Sequence, residues 1–380
     1  MKRFLFILLA FLLLFSFLTG CKKKEAIAPA GPKYKIGICF DVGGRGDQSF
    51  NDSAYNGLVL LAKQFKGYIK DDPSNVDFGK DIELKYLEPK SGGQDRELIM
   101  RALAEDGYNL IIGVGFLYSD SLSKVAKDFP SIHFGIIDGF IPDLTESSNI
   151  TCLGFAEHEG SFLMGAAAGL LNKGGKVGFL GGMDIPLIHK FQGGFIAGAM
   201  YVNQDLRKSG MILGQYAGKD PTAFNDPKTG ESIAVNFFKR GASIVYHASG
   251  GTGAGLFKAA KDLGKLAIGV DSDQGLIYAT SKSEEEKKMS EFIVTSMLKR
   301  VDNAVFLAGK EMIDTGKNAG GYKTFSLKDD GVGYALNDYN KGKLDPILAK
   351  LDELKKKIIA GEIAVPDDDA KVAAWAKTAF

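Results

Sequence analysis

The chain has 380 residues, 45% hydrophobic and 24% charged, with 47 Lys and Arg against 46 Asp and Glu. That apolar content excludes a disordered protein, three cysteines exclude a disulfide scaffold, and a net charge of +1 supplies no basic stripe to neutralise nucleic-acid phosphates. Forty-eight glycines are too many for a helical bundle and suit an α/β protein with many tight strand-to-helix turns, while the length predicts two domains.

Met1-Lys2-Arg3 is a short basic head, and the run from Phe4 to Gly20 carries no charge. Leu18-Thr19-Gly20-Cys21 closes it, and Lys22-Lys23-Lys24-Glu25 opens polar sequence. A basic head, an apolar stretch and small residues before a cysteine predict a secretory signal over 1–20, its Leu-x-Gly-Cys ending resembling the bacterial lipobox with lipid on Cys21. A plain N-terminal membrane anchor would use the same residues, near the shortest length that spans a bilayer. Both readings place the globular part outside the cytoplasm, tethered to a membrane. Removing residues 1–20 takes Lys2 and Arg3 and leaves 45 basic against 46 acidic residues. Residues 21–33 then read as the lipidated cysteine and a flexible, Ala-, Pro- and Gly-containing stalk.

From Lys33 onward, short β-rich runs alternate with helical patterns. Strands are predicted at 34–40, 82–88, 109–115, 133–138, 150–156, 176–182, 211–217, 243–249 and 266–271. Helices are predicted at 52–66, 93–106, 158–171, 191–208, 254–263 and 288–309. Near-continuous apolar strands separated by helices imply parallel sheets covered on both faces. The expectation is two doubly wound lobes joined near 145–152. Residues 34–150 plus about 272–305 form the first lobe, 151–271 plus about 306–340 the second, and 341–380 a helical tail. Cys39 and Cys152 lie in apolar strands and read as buried small hydrophobes. Four histidines without an HExxH or CxxC grouping predict no metal site, and no cofactor is expected.

Enzyme signatures fail. GGTGAG (250–255) lacks the G-x-G-x-x-G spacing, and there is neither a GK[ST] phosphate loop nor a G-x-S-x-G elbow. Asp41 to Asp52 has Gly43 and Arg45 where calcium ligands belong. In doubly wound folds ligands bind beyond the carboxyl ends of the strands. Here those positions hold acids and glycines with few bases, as in Asp41-Val-Gly-Gly, Asp138-Gly, Gly250-Gly-Thr-Gly and Asp271-Ser-Asp273. Such a set suits hydroxyl-rich or amine-bearing neutral ligands better than phosphates.

The segment DVGGRGDQSFNDSAYNGL (41–58) resembles the opening motif of the basic membrane protein family, the purine nucleoside receptor lipoproteins of ABC importers. Asp41, Gly43, Gly44, Asp47, Ser49, Phe50, Asn51 and Gly57 match it. GFAEHEGSFLMG (154–165), KVGFLGGMDIPLIHKFQGGFIAG (176–198), SGGTGAGLFKAAK (249–261), IGVDSDQ (268–274) and TSMLKR (295–300) are similar to the same family, so the resemblance runs from about 34 to 310. His158 departs from it, and the charged stretches 66–81 and 282–291 read as surface insertions.

The resemblance implies a type I periplasmic-binding-protein fold, with two doubly wound parallel-sheet lobes around a ligand cleft. It implies a binding protein, not an enzyme, that captures a purine nucleoside (guanosine, inosine or adenosine) and passes it to an ABC permease and its ATPase. It also implies that Phe50 stacks on the base, a role extended to Phe191 at the matching place in the second lobe; core phenylalanines are the bland reading of both. Asp41, Asn51 and Asp120 could read the purine edge, although Asn51 and Asp120 equally suit helix capping. Asp271, with Asp273 as second choice, could take the ribose hydroxyls, and Gly250 and Gly251 permit close backbone approach. Lys299 matches a lysine the family places near the ribose. The alternatives are a receptor for another small polar solute such as a sugar, and an α/β nucleoside-processing enzyme.

Overall fold

Strand β1 (Tyr34–Cys39) shows why the core forms where it does: Ile36 and Ile38 are wholly buried, and the strand is parallel to β3 (Ile82–Leu87) on one side and β4 (Leu110–Val114) on the other. A strand sealed on both faces must be apolar throughout, as the hydrophobic runs predicted. The computed structural model describes residues 31–380, so the signal sequence and Cys21 lie outside the described residues. In the described part, no helix is long and apolar enough to cross a membrane.

The first sheet contains seven parallel strands in the order β12-β6-β5-β4-β1-β3-β2, with β2 at Tyr68–Ile69, β5 at His133–Ile137, β6 at Ile150–Phe155 and β12 at Gly321–Phe325. The second has six strands in the order β13-β11-β10-β9-β7-β8. Its members are β7 (Lys176–Met183), β8 (Ile212–Gly218), β9 (Ala242–Ala248), β10 (Leu266–Asp271), β11 (Ile293–Lys299) and β13 (Val332–Tyr334), the last antiparallel to β11. Helices cover both sheets, giving the two-lobed α/β architecture of type I periplasmic binding proteins.

The chain passes between lobes three times: at Phe155–Glu157, at Lys299–Val301 and between β12 and β13. This corrects the expected lobe boundaries. Residues 150–155 pair with β5 and belong to the first sheet, moving the joint from 145–152 to 155–157. Residues 293–299 were expected in the first lobe but form β11 of the second sheet. Residues 321–325 were expected in the second lobe but pair with β6 in the first. The stretch 288–309 was expected to be one helix. It is the end of helix Glu284–Ser290, then β11, then helix Val301–Thr315. Its apolar spacing fits a helix, but burial between β10 and β13 favours the extended form of Ile-Val-Thr.

Helices Glu157–Leu171 and Pro186–Val202 pack backbone to backbone. A Cβ on Gly165 would lie 2.0 Å from the carbonyl oxygen of Phe195, and one on Gly198 1.9 Å from that of Phe162. The helical tail is present as Lys341–Ile359 and Val372–Ala379, with Trp375 edge-on to Phe162.

Candidate functional site

Asp47 builds the first wall. Its carboxylate accepts from the backbone N–H groups of Ser49, Asn51 and Asp52, the donors left over at the start of helix Phe50–Gln64. Burial nevertheless pushes the Asp47 carboxyl up to about 6. The side chain of Asn51 completes the loop: its Oδ1 accepts from Asp41 N at 2.9 Å, and its Nδ2 donates to Val42 O and Asp47 Oδ2. The turn so formed presents Phe50 to the space between the lobes.

That space is a pocket between the lobes that holds about 680 Å³ of open volume, part of it continuous with solvent. Strand ends from both sheets converge on it: Asp41 after β1, Phe116 after β4, Asp138 after β5, Ser249 and Gly250 after β9, Asp271 closing β10 and Lys299 closing β11. Its apolar walls come from Phe50 and Phe116 of the first lobe and from Ile188, Phe191 and Phe224 of the second. Aromatic groups thus face the cleft from both sides, with carboxylates and one ammonium between them.

Lys299 is the centre of that charged part. Its Nζ lies 2.5 Å from Asp138 Oδ2 and 3.1 Å from Glu157 Oε1, with all three side chains almost wholly buried. The same Nζ stands 5.2 Å from the ring centroid of Phe50 and 5.4 Å from that of Phe191, within cation–π range of both. Burial opposes the ammonium, but Asp138, Glu157 and Asp271 outweigh it and hold its pKa above the usual lysine value. Glu157 shares its other oxygen with Lys190 at 3.2 Å. Asp138 Oδ1 is buried without a hydrogen-bond partner among the described residues, and burial raises this carboxyl against the pull of Lys299. A buried acceptor lining a pocket with nothing bonded to it is a position for a ligand donor.

Asp271 is pushed up to about 6, by burial first, with Lys299 pulling it down and Asp138 pushing it up. One of its oxygens accepts from Ser49 Oγ at 2.5 Å. Burial also raises Asp41, partly offset by Arg96, whose Nη2 lies 2.9 Å from Asp41 Oδ1.

Of the residues singled out in sequence, the pocket brings together Asp41, Phe50, Asn51, Phe191, Gly250, Asp271 and Lys299. Four expectations are corrected. Asn51 lines the pocket, but both its amide hydrogens and one lone pair are spent inside the loop, so it shapes the wall and has little left to read a base. Asp120 is exposed in the first turn of helix Ser119–Asp128 and does not line the pocket; Gly115, Phe116 and Leu117 of that segment do. Gly251 faces a neighbouring groove instead. Asp273, the second choice beside Asp271, caps helix Gln274–Ala279 through Leu276 N and binds Asn337. Sequence reasoning missed Asp138, Glu157 and Phe224 as site residues. Asp138 carried a usable signal, an acid directly after a predicted strand. Arg45 pairs with Asp52 and lies over the Tyr55 ring.

Comparison with known proteins gives the family. The family model described as "ABC transporter substrate-binding protein PnrA-like" matches residues 34–369. An ABC transporter nucleoside-binding protein, BmpA, from Lactococcus lactis is 32% identical over 92% of this chain and 94% of its own. An uncharacterised lipoprotein of Pyrococcus abyssi is 34% identical over 85% of this chain and 74% of its own. The crystal structure of an ABC transporter solute-binding protein from Aeropyrum pernix K1 superposes with a TM-score of 0.73 at 26% identity, covering 91% of this chain and 97% of that one. The chain is therefore a member of the Bmp family of PnrA-like ABC transporter substrate-binding proteins.

Proposed function

We propose that this protein is a lipid-anchored receptor that captures purine nucleosides in the interlobe cleft and delivers them to an ABC permease and its ATPase. The observation that carries the reading is the division of one pocket into aromatic walls and a carboxylate–ammonium cluster. Phe50 and Phe191 approach the same Lys299 from opposite lobes, and Asp138 and Asp271 flank it. A flat base fits between the rings, where stacking contributes roughly 1–3 kcal/mol. The hydroxyls of a ribose fit the cluster, donating to Asp271 and to the unpartnered oxygen of Asp138. Asp41, its backbone fixed by Asn51, remains an acceptor for the base. The mechanism is closure: each lobe carries half the site, so a solute touching both favours the closed form. The nucleoside-binding relative supports this ligand, and the lipoprotein relative supports an anchor at Cys21.

Calorimetric titration of ligand-stripped protein with guanosine, inosine, adenosine, cytidine, ribose and adenine tests the ligand. Tight one-to-one binding of purine nucleosides, with weak ribose and weak adenine, is expected. Heat from ribose alone would favour a sugar receptor and overturn the purine reading. Prolonged incubation with inosine should return it intact; release of hypoxanthine would mean an enzyme. Cys21→Ala should move the protein from the membrane fraction to the soluble one.

A further inference from the structure

The two lobes touch through a set of polar contacts beside the pocket. Ser49 Oγ donates to Asp271 Oδ2 at 2.5 Å, Ser272 Oγ donates to Ser49 O at 3.0 Å, and Gln274 Nε2 donates to Gln48 O at 3.2 Å. Ser49 is wholly buried, yet neither it nor Gln48, Ser272 or Gln274 is among the residues lining the pocket. Gln48 and Gln274 line the adjacent interlobe groove, which shares only Asp47 and Gly250 with the pocket, so these contacts form part of the partition between the two spaces.

Each half is held by hydrogen bonds within its own lobe. Gln48 N is held by Asp52 Oδ2, inside the cage formed by Asp47. Gln274 Oε1 accepts from Val270 N and faces Nε2 of the buried His247, and Gln274 N donates to Ser296 Oγ. Gln48 and Asp271 each adopt a left-handed backbone, with φ of 53° and 64°, uncommon for Gln and better tolerated by Asp.

We propose that the Gln48–Ser49 turn and the Asp271–Gln274 turn form a latch made only in the closed cleft, in which Ser49 is a positioning residue that aims the Asp271 carboxylate at the solute. The assignment rests on Asp271 meeting the solute, as proposed above. Opening the cleft pulls Ser49 and Asp271 apart, so the latch acts after capture and governs release.

The test compares the unmodified protein with Ser49→Ala, Ser272→Ala and the double variant, using inosine as probe in stopped-flow binding. Loss of a buried hydrogen bond to a carboxylate predicts koff rising roughly tenfold in Ser49→Ala. Because closure follows encounter, kon should stay within about twofold. The ratio of inosine to guanosine affinity should not move, whereas direct contact with the ligand would change it. A second readout needs no ligand. Spin labels on Lys80→Cys and Lys208→Cys, one in each lobe, report the interlobe distance, and the variants should shift it towards longer values. Unchanged koff together with an unchanged distance distribution would overturn the latch, as would a loss confined to kon. If inosine fails to bind the unmodified protein, the nucleoside reading fails, while the label distances still decide the latch. Should Ser49→Ala misfold, Ser272→Ala carries the test, because its hydroxyl is only half-buried and its removal leaves Asp271 in place.

Discussion

Asp271 and Asp138 stand at similar places, Asp271 closing β10 and Asp138 directly following β5, both in left-handed backbone and both raised by burial. If Asp271 takes ribose hydroxyls, Asp271→Ala should cost about 1–3 kcal/mol of nucleoside affinity, because the hydroxyls lose their acceptor. The affinity of the free base should not change, and paired titrations of adenosine and adenine measure the difference. The pH dependence follows from the carboxyl near 6 in the ligand-free protein. Accepting two hydroxyls requires the ionised form, so binding expels the proton. Affinity is then full above pH 6 and falls as pH drops through 6, by up to about tenfold per unit; calorimetry at pH 7.5 and pH 5 reads this. The effect on folding has the opposite sign. A carboxyl raised in the folded state holds its proton more tightly there, so its contribution to stability is present at low pH and declines as pH rises towards 6. At this scale the sequence was partly legible. Asp41 and Asp271 could be picked because they follow or close apolar runs, and Phe50 because its segment resembles a family motif. Asn51 and Asp120 went astray because an amide or an acid at a helix start can serve loop, cap or ligand equally, and only the hydrogen bonds decide.

Helix Pro186–Val202 carries Leu187, Ile188 and Phe191 to the pocket, and its position depends on glycine. A Cβ on Gly194 would meet the carbonyl oxygen of His158 at 2.1 Å, and one on Gly193 the backbone of Asp368 at 2.6 Å, so the helix is pressed against its neighbour and against the C-terminal segment. Gly198→Ala is therefore expected to destabilise the protein by at least about 1–3 kcal/mol, since backbone must move to admit the methyl. Urea unfolding checks the energy. Loss of nucleoside affinity in the same variant would report displacement of Phe191. Elements with strong patterns, such as β1 and helix Glu157–Leu171, were legible from apolar runs alone. Strand β11 was not, because seven residues of mixed apolar and small polar type carry too short a period to tell strand from helix.

Across the whole molecule, the ion cluster and the lobe crossings coincide. Glu157 begins the element after the first crossing, Lys299 ends the strand before the second, and Asp138 reaches them from the first lobe. Lys299→Met would leave Asp138 buried without its cation and Glu157 with Lys190 alone, at a cost of about 3–5 kcal/mol near neutral pH. Because protonating either acid relieves that cost, the loss should shrink at pH 5; denaturant unfolding of both proteins at the two pH values measures it. A loss independent of pH would mean that the cluster is not ionised as described. The amino-acid order by itself determined the alternation of strands and helices, the existence of two sheets and the family, because these follow from local periodicity and short contiguous motifs. Only the tertiary structure decided which strand joins which sheet, since hydrogen-bonded pairing of parallel strands leaves no local mark in either partner. For the same reason it alone revealed Asp138, Glu157 and Lys299 as one buried cluster: groups that attract one another across the fold are far apart in sequence, and their charges meet only where three chain crossings bring the lobes together.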